Sequence, residues 1–193
     1  TNLVAGDTNG HRDVLVRDCQ IGQTIRISIA SDGSEGDLRS YQPSISGNGG
    51  FVAFTSRARN LVEGDTNGWW DVFAHDGLSG ETSRVSIASN GDQGDGYSSA
   101  PSMAPEGRYV AFESWASNLV AEDTNDAWDI FVHDRQTNIT ERVSIASDGE
   151  QGNGYSRYPS ISADGRYVAF QSWASNLVEL DTNAAADIFV HDR

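Results

Sequence analysis

Asp65, Asn67 and Asp71 fall within seven residues of the stretch "NLVEGDTNGWWDVFAHD" (60–76), which then runs into an apolar segment. Carboxylate and amide oxygens so closely spaced can act as hard ligands for calcium, which takes roughly six to eight oxygens, often from one short loop. Two carboxylates about 4 Å apart repel by a few kcal/mol at an effective dielectric near 20, and a divalent cation reverses that sign. The same residues can instead form an Asx turn, in which Asp and Asn side chains bond to their own backbone. The loop is shorter than an EF-hand and lacks its distal bidentate glutamate. Both readings, calcium loop and metal-free turn, are open at this level.

The constellation is not unique. It recurs as Asp7, Asn9, Asp13 in "NLVAGDTNGHRDVLVRD" (from Asn2), as Asp123, Asn125, Asp129 in "NLVAEDTNDAWDIFVHD" (from Asn118), and as Asp181, Asn183, Asp187 in "NLVELDTNAAADIFVHD" (from Asn176). The period is 58 residues without an insertion or deletion, and "RVSIASNGDQGDGY" from Arg84 matches "RVSIASDGEQGNGY" from Arg142. A fixed period of this length marks a repeat architecture.

The elements that must position these loops are short strands. In one unit "YPSIS" (158–162) and "RYVAFQS" (166–172) flank "ADG", a hairpin turn in which Asp164-Gly165, Glu106-Gly107 and Asn48-Gly49 supply the residue with positive φ. The DTN loop follows, then "DIFVHD" (129–134 in the preceding unit), then "TERVSIAS" (140–147), which alternates as a strand with one buried face does. No segment carries a capped helical period. Four strands per repeat predict an all-β fold, a β-propeller of four-stranded antiparallel blades whose faces are buried only against neighbouring blades. A β-solenoid is the alternative, although its coils are usually shorter.

The motifs "PSISADGRYVAFQS" (159–172) and "DIFVHD" resemble the TolB-type, WD40-like (PD40) propeller repeats of bacteria, and the resemblance spans the chain in about three and a third copies. It implies that Pro159 to Gly165 form the innermost strand and its turn. The copies drift to "PSMAPEG" (101–107) and "PSISGNG" (43–49), with the turn glycine kept. The family spans scaffolds, accessory domains and some enzymes, so the resemblance implies fold more than function.

The expected organisation is a partial blade over 1–40 (third and fourth strands), blades over 41–98 and 99–156, and a partial blade over 157–193 (first to third strands). Such an array leaves unfinished edges, which points to copies of itself, or further blades of a longer chain, as partners. The chain begins with Thr1 inside a repeat, which reads as a processed, excised or incompletely observed product.

Composition narrows the function classes. The formal charge is −15, which disfavours nucleic acid and anionic lipid as partners and favours cations. Only 37% of residues are hydrophobic, 20 are glycine, and no apolar run approaches a membrane span. The single cysteine, Cys19, excludes an internal disulfide and a multi-thiolate zinc site. His75, His133 and His191 occupy one repeat position, held by Arg17 in the first copy, and read as strand-end residues rather than catalytic bases. Trp69, Trp70, Trp115, Trp128 and Trp173 have faces that suit glycan rings, but their positions do not repeat evenly between copies, and they read as packing between blades. The second acidic stretch, with Asp37, Asp95 and Asn153 at one position, reads as flexible connection more than as a cation loop.

No nucleophile elbow or phosphate-cradling loop is present. Copies of uniform length argue against catalysis, since active sites are built on loops that depart from the scaffold. The reading that results is a secreted, periplasmic or cell-surface structural or binding propeller stabilised by Ca2+ in the DTN loops. The alternative is a lectin-like module for glycan or protein ligands, and less favoured is the propeller portion of a hydrolase or lyase.

Overall fold

The structure, a computed structural model, describes residues 3–193 and is all β. β1 (Leu15–Arg17) and β2 (Thr24–Arg26) pair as a half-blade. β3 (Ser40–Ile45), β4 (Phe51–Ser56), β5 (Asp71–Asp76) and β6 (Thr82–Arg84) form one four-stranded meander. β7 (Ser98–Met103), β8 (Tyr109–Ser114), β9 (Asp129–Asp134) and β10 (Ile139–Arg142) form a second. β11 (Ser156–Ile161), β12 (Tyr167–Ser172) and β13 (Asp187–Asp192) form a three-stranded sheet with the same order. Every pairing is antiparallel.

The middle strands are buried on both faces because alternate side chains serve different neighbours. In β5, Phe73 packs backward with Phe54, Leu61 and Ile27, whereas Val72 and Ala74 pack forward with Val110 and Phe112 of the next blade. One blade later, Ile130 and Val132 pack forward with Val168 and Phe170. Phenylalanines directly opposite in register stack across β4–β5, β8–β9 and β12–β13 at 6.0, 5.8 and 6.0 Å. A buried Phe contributes about 1.5–3 kcal/mol relative to exposure, so each blade is stabilised chiefly by its neighbours.

The turn glycines carry positive φ as expected: Gly49 at 73°, Gly107 at 75° and Gly165 at 74°. Two of them serve a second purpose. A Cβ on Gly107 or Gly165 would lie within the ring of Phe51 or Tyr109 of the preceding blade, so these turns need glycine for space as well as dihedral.

Two strands differ from their sequence expectation. The fourth strand leaves the ladder after Arg84 or Arg142 and does not continue through "VSIAS". The cause is the serine: Ser86 Oγ accepts the Val72 N–H at 3.0 Å where a strand carbonyl would otherwise stand, and the chain turns away to an isolated bridge, Ile87 to Gln93. The first strand carries a bulge, with Gln42, Ala100 and Tyr158 at φ of 51°, 50° and 57°. Across the bulged strands, Ser44 Oγ accepts from Met103 N–H at 2.9 Å and Ser102 Oγ from Ile161 N–H at 3.2 Å, tying one blade to the next.

Candidate functional site

The DTN loops sit at the entry to the third strand. The asparagine closes an Asx turn in all four copies: the oxygens of Asn9, Asn67, Asn125 and Asn183 accept the amides of His11, Trp69, Ala127 and Ala185 at 2.8, 2.9, 2.9 and 2.8 Å. The asparagine nitrogen then donates to the aspartate four residues on, in the second copy from Asn67 to Asp71 at 3.0 Å, and to the Gly94 carbonyl at 2.9 Å.

The sequence reading did not anticipate the cation that faces these carboxylates. Arg84, at the end of β6, lies 3.1 Å from Asp65 and 4.0 Å from Asp71. Arg26 lies 3.2 Å from Asp7, 3.5 Å from Asp13 and 3.1 Å from Glu35, and Arg142 lies 3.3 Å from Asp123. A serine completes the set: Ser28 and Ser86 donate to Asp13 and Asp71 at 2.7 Å, and Ser144 donates to Asp129. The arginine and serine belong to the "R-V/I-S" at which each fourth strand ends. Their recurrence at the loop's own period was the available signal.

Burial dominates the electrostatics. It pushes Asp71 up to about 6 against the pull of Arg84, and raises Asp65, Asp123 and Asp129 for the same first cause. Several guanidinium nitrogens of Arg26, Arg84 and Arg142 are buried without a well-aligned acceptor. A surplus of donors calls for water or an anion and repels a metal cation. Among the described residues no group of three or more His, Cys, Asp or Glu is arranged to hold a metal ion. In the fourth copy the same internal bond is made, from Asn183 to Asp187 at 2.8 Å.

The second acidic stretch is a clasp between blades, which corrects the flexible-connection reading. Asp95 accepts from Ser117 N–H at 2.7 Å and donates its own amide to Asn118 at 3.0 Å, while Asn118 Nδ2 donates to the Gln93 carbonyl at 2.9 Å. Asp37 with Asn60 and Asn153 with Asn176 repeat this. His75 and His133 join the strands: each meets a threonine hydroxyl at 2.8 Å, and those hydroxyls donate to the Ile29 and Ile87 carbonyls of the preceding unit. The rings therefore donate from Nδ1. Burial depresses both, His133 to about 4.

The tryptophans divide. Trp70 meets Tyr41 edge-on at 4.7 Å, and Arg157 lies 4.2 Å over Trp128, as interblade or local packing requires. Trp115 and Trp173 are instead 50% and 49% exposed, which corrects the packing reading for them. Trp173 and Trp128 wall a cleft of about 720 Å3 with Tyr155, Tyr158, Arg157 and Asn125. Its shape has a local cause. One blade earlier Trp69 lies 4.7 Å from Tyr97 and covers it, but Ala127 stands at the equivalent position and leaves Tyr155 55% exposed. Tyr158 is set by the bulge and by buried Glu113, which accepts its amide at 3.0 Å.

Blades of this strand order, stacked through alternate faces, define a TolB-like β-propeller fold. The chain is similar to the crystal structure of TolB from Acinetobacter baumannii, with a TM-score of 0.54 and 18% identity over 93% of this chain and 35% of that one. It is also similar to a structure from work on two prolyl endopeptidases (TM-score 0.55, 17% identity, 93% of this chain and 24% of that one) and to the tricorn protease (0.55, 12%, 87% and 14%). At these identities the likeness is one of fold, and the chain spans about a third of the TolB structure's length. No family model matches the chain, and no curated protein matches it.

Proposed function

We propose that the chain is a non-catalytic binding propeller, exported or surface-borne, whose ligand site is the Trp128–Trp173 cleft and whose ligand is a carbohydrate. The observation that carries this reading is the exposure of three large aromatic groups, Trp173, Tyr155 and Tyr158, in one cleft beside Arg157, Asn125 and Asn153. Flat aromatic faces suit the C–H faces of a pyranose, and the surrounding amide and guanidinium groups suit its hydroxyls. Its volume lies in the range of about 300–1,000 Å3 usual for small-molecule sites. A glycan array followed by calorimetry with the strongest hit tests it. Ala127→Trp, which restores the ring used at Trp69, and Trp173→Ala should each weaken binding at least tenfold with folding unchanged. An array without hits would remove the carbohydrate assignment.

Calcium is the second reading of the DTN loops. The hard oxygens of Asp and Asn are in place in every DTN loop. In the first three copies a calcium ion would share its space with arginine. At free calcium 100-fold above the dissociation constant each occupied site would add about 2.7 kcal/mol. Melting with calcium and then with excess chelator decides it.

A further inference from the structure

The cleft is one of three junctions with a common backbone. The Trp173 amide donates to the Tyr155 carbonyl at 2.9 Å, which extends the β11–β12 ladder and makes the two side chains cross-strand neighbours on the DTN face. One junction earlier Trp115 donates to Tyr97 at 2.8 Å, and one before that Arg57 donates to Arg39 at 3.2 Å. The adjoining loop is tied down in the same way: the amides of Ser156, Ser98 and Ser40 donate to the carbonyls of Trp128, Trp70 and Arg12 at 2.7, 2.8 and 2.7 Å. The DTN loop of one unit and the first two strands of the next are present at all three, so this is a finished surface and not an open edge.

The side chains on this backbone differ from junction to junction. Trp69, Tyr97 and Trp115 make the second one aromatic, with Trp69 and Trp115 39% and 50% exposed. Tyr155 and Trp173 keep the third aromatic. The first is cationic: Arg12, Arg39 and Arg57 are exposed, and among the described residues none of them makes an ion pair. Elsewhere Arg26, Arg84, Arg108, Arg142, Arg166 and Arg193 each meet a carboxylate. Three guanidinium groups gathered without an acid repel one another, and an anionic ligand would reverse that cost.

We propose that the DTN face is an extended binding surface for an acidic polysaccharide in which uronate alternates with neutral sugars. Its carboxylates meet Arg12, Arg39 and Arg57, and its neutral rings stack on Tyr97 with Trp115 and on Tyr155 with Trp173. This rests on the carbohydrate reading of the cleft, which becomes one subsite of three. The guanidinium fork matches a planar carboxylate, and the aromatic faces match pyranose C–H groups. Equivalent sites at successive junctions suit a ligand that itself repeats, because each linked contact raises the effective concentration of the next. Single-stranded nucleic acid also uses aromatic and arginine groups, but it carries a phosphate at every residue, which a chain of formal charge −15 with two uncharged aromatic junctions disfavours.

The test uses biolayer interferometry of the intact chain on immobilised hyaluronate, unsulfated chondroitin and gellan, each beside its carboxyl-reduced form. At least one acidic chain should bind about tenfold or more tighter than its reduced form, with the preference shrinking as salt rises. Arg39→Ala combined with Arg57→Ala should bring the acidic chain down to the level of the reduced one, and Trp115→Ala should weaken both forms, all with unchanged melting midpoints. Equal binding of acidic and reduced chains that Trp173→Ala abolishes overturns this inference and leaves the cleft reading standing. Acidic binding that neither Trp115→Ala nor Trp173→Ala weakens overturns both. No binding to any acidic chain overturns the inference, whatever neutral glycan the array assigns to the cleft. Binding of oligo(dT) as tight as the best polysaccharide gives the face to nucleic acid and overturns it as well.

Discussion

Arg84 reaches back from the end of β6 to Asp65, 3.1 Å away, and with both side chains nearly sealed from solvent it ties the DTN loop to the strand after next. A loop that in sequence presents only negative charge meets in the folded protein one buried countercharge.

Removing that guanidinium should therefore be expensive. Arg84→Ala leaves Asp65 and Asp71 buried without their countercharge, and a loss of about 3–5 kcal/mol is expected by urea unfolding. Arg84→Lys should recover only part of it, since one ammonium cannot span both carboxylates as the planar fork does. A change within about 0.5 kcal/mol for Arg84→Ala would show that the pair does not hold the loop.

Two buried titrations should oppose each other between pH 4 and 6. Asp71, raised from 3.8 to about 6 by burial, binds its proton more tightly in the folded state, so its contribution is full below pH 3.8 and is lost as pH rises through 6. His133, lowered from 6.5 to about 4, contributes above pH 6.5 and loses that contribution as pH falls through 4. Each effect is on the order of 3 kcal/mol. Wild type should gain on Asp71→Asn and lose ground to His133→Gln as pH falls from 6.5 to 4, measured as unfolding free energies across the range.

The turn glycines should separate by neighbour. Gly107→Ala places a methyl 2.4 Å from a carbon of the Phe51 ring at a φ of 75°, whereas Gly49→Ala, at 73°, meets nothing within 4 Å. The left-handed penalty of about 1–2 kcal/mol is common to both. Thermal melts should show Gly107→Ala more destabilised than Gly49→Ala by about 1 kcal/mol or more, the cost of shifting an interblade ring.

Chelation tests the DTN loops directly. If they hold calcium, excess chelator should lower the melting midpoint, and Asp65→Asn should reduce that calcium-dependent shift. A midpoint unmoved by calcium and by chelator would leave the loops as metal-free turns.

The repeat period, the strand order and the glycine turns were legible because each rests on local chemistry: alternation, β-branched runs and positive φ. The roles of Arg26, Arg84 and Arg142 were not, although they recur at the same period, because a strand residue's partner lies in a loop about 20 residues earlier. The clasps of Asn60, Asn118 and Asn176 were hidden for the same reason, since hydrogen bonds between units leave no alternating pattern. The cleft was the hardest to foresee. It depends on one departure from the repeat, Ala127 in place of Trp69, and a small residue in a loop carries no signal until its neighbours are known.

The alternating burial of β5 and β9 gives every blade a front unlike its back: phenylalanine faces backward, and valine, alanine or isoleucine faces forward. Such a contact is heterologous, and it cannot satisfy itself through a twofold axis. Stacked units of this kind must either come round upon themselves or grow without limit. The rotation at each junction, set by how small aliphatic side chains on one face meet phenylalanine on the other, is thus the quantity that decides between a closed ring and a fibre.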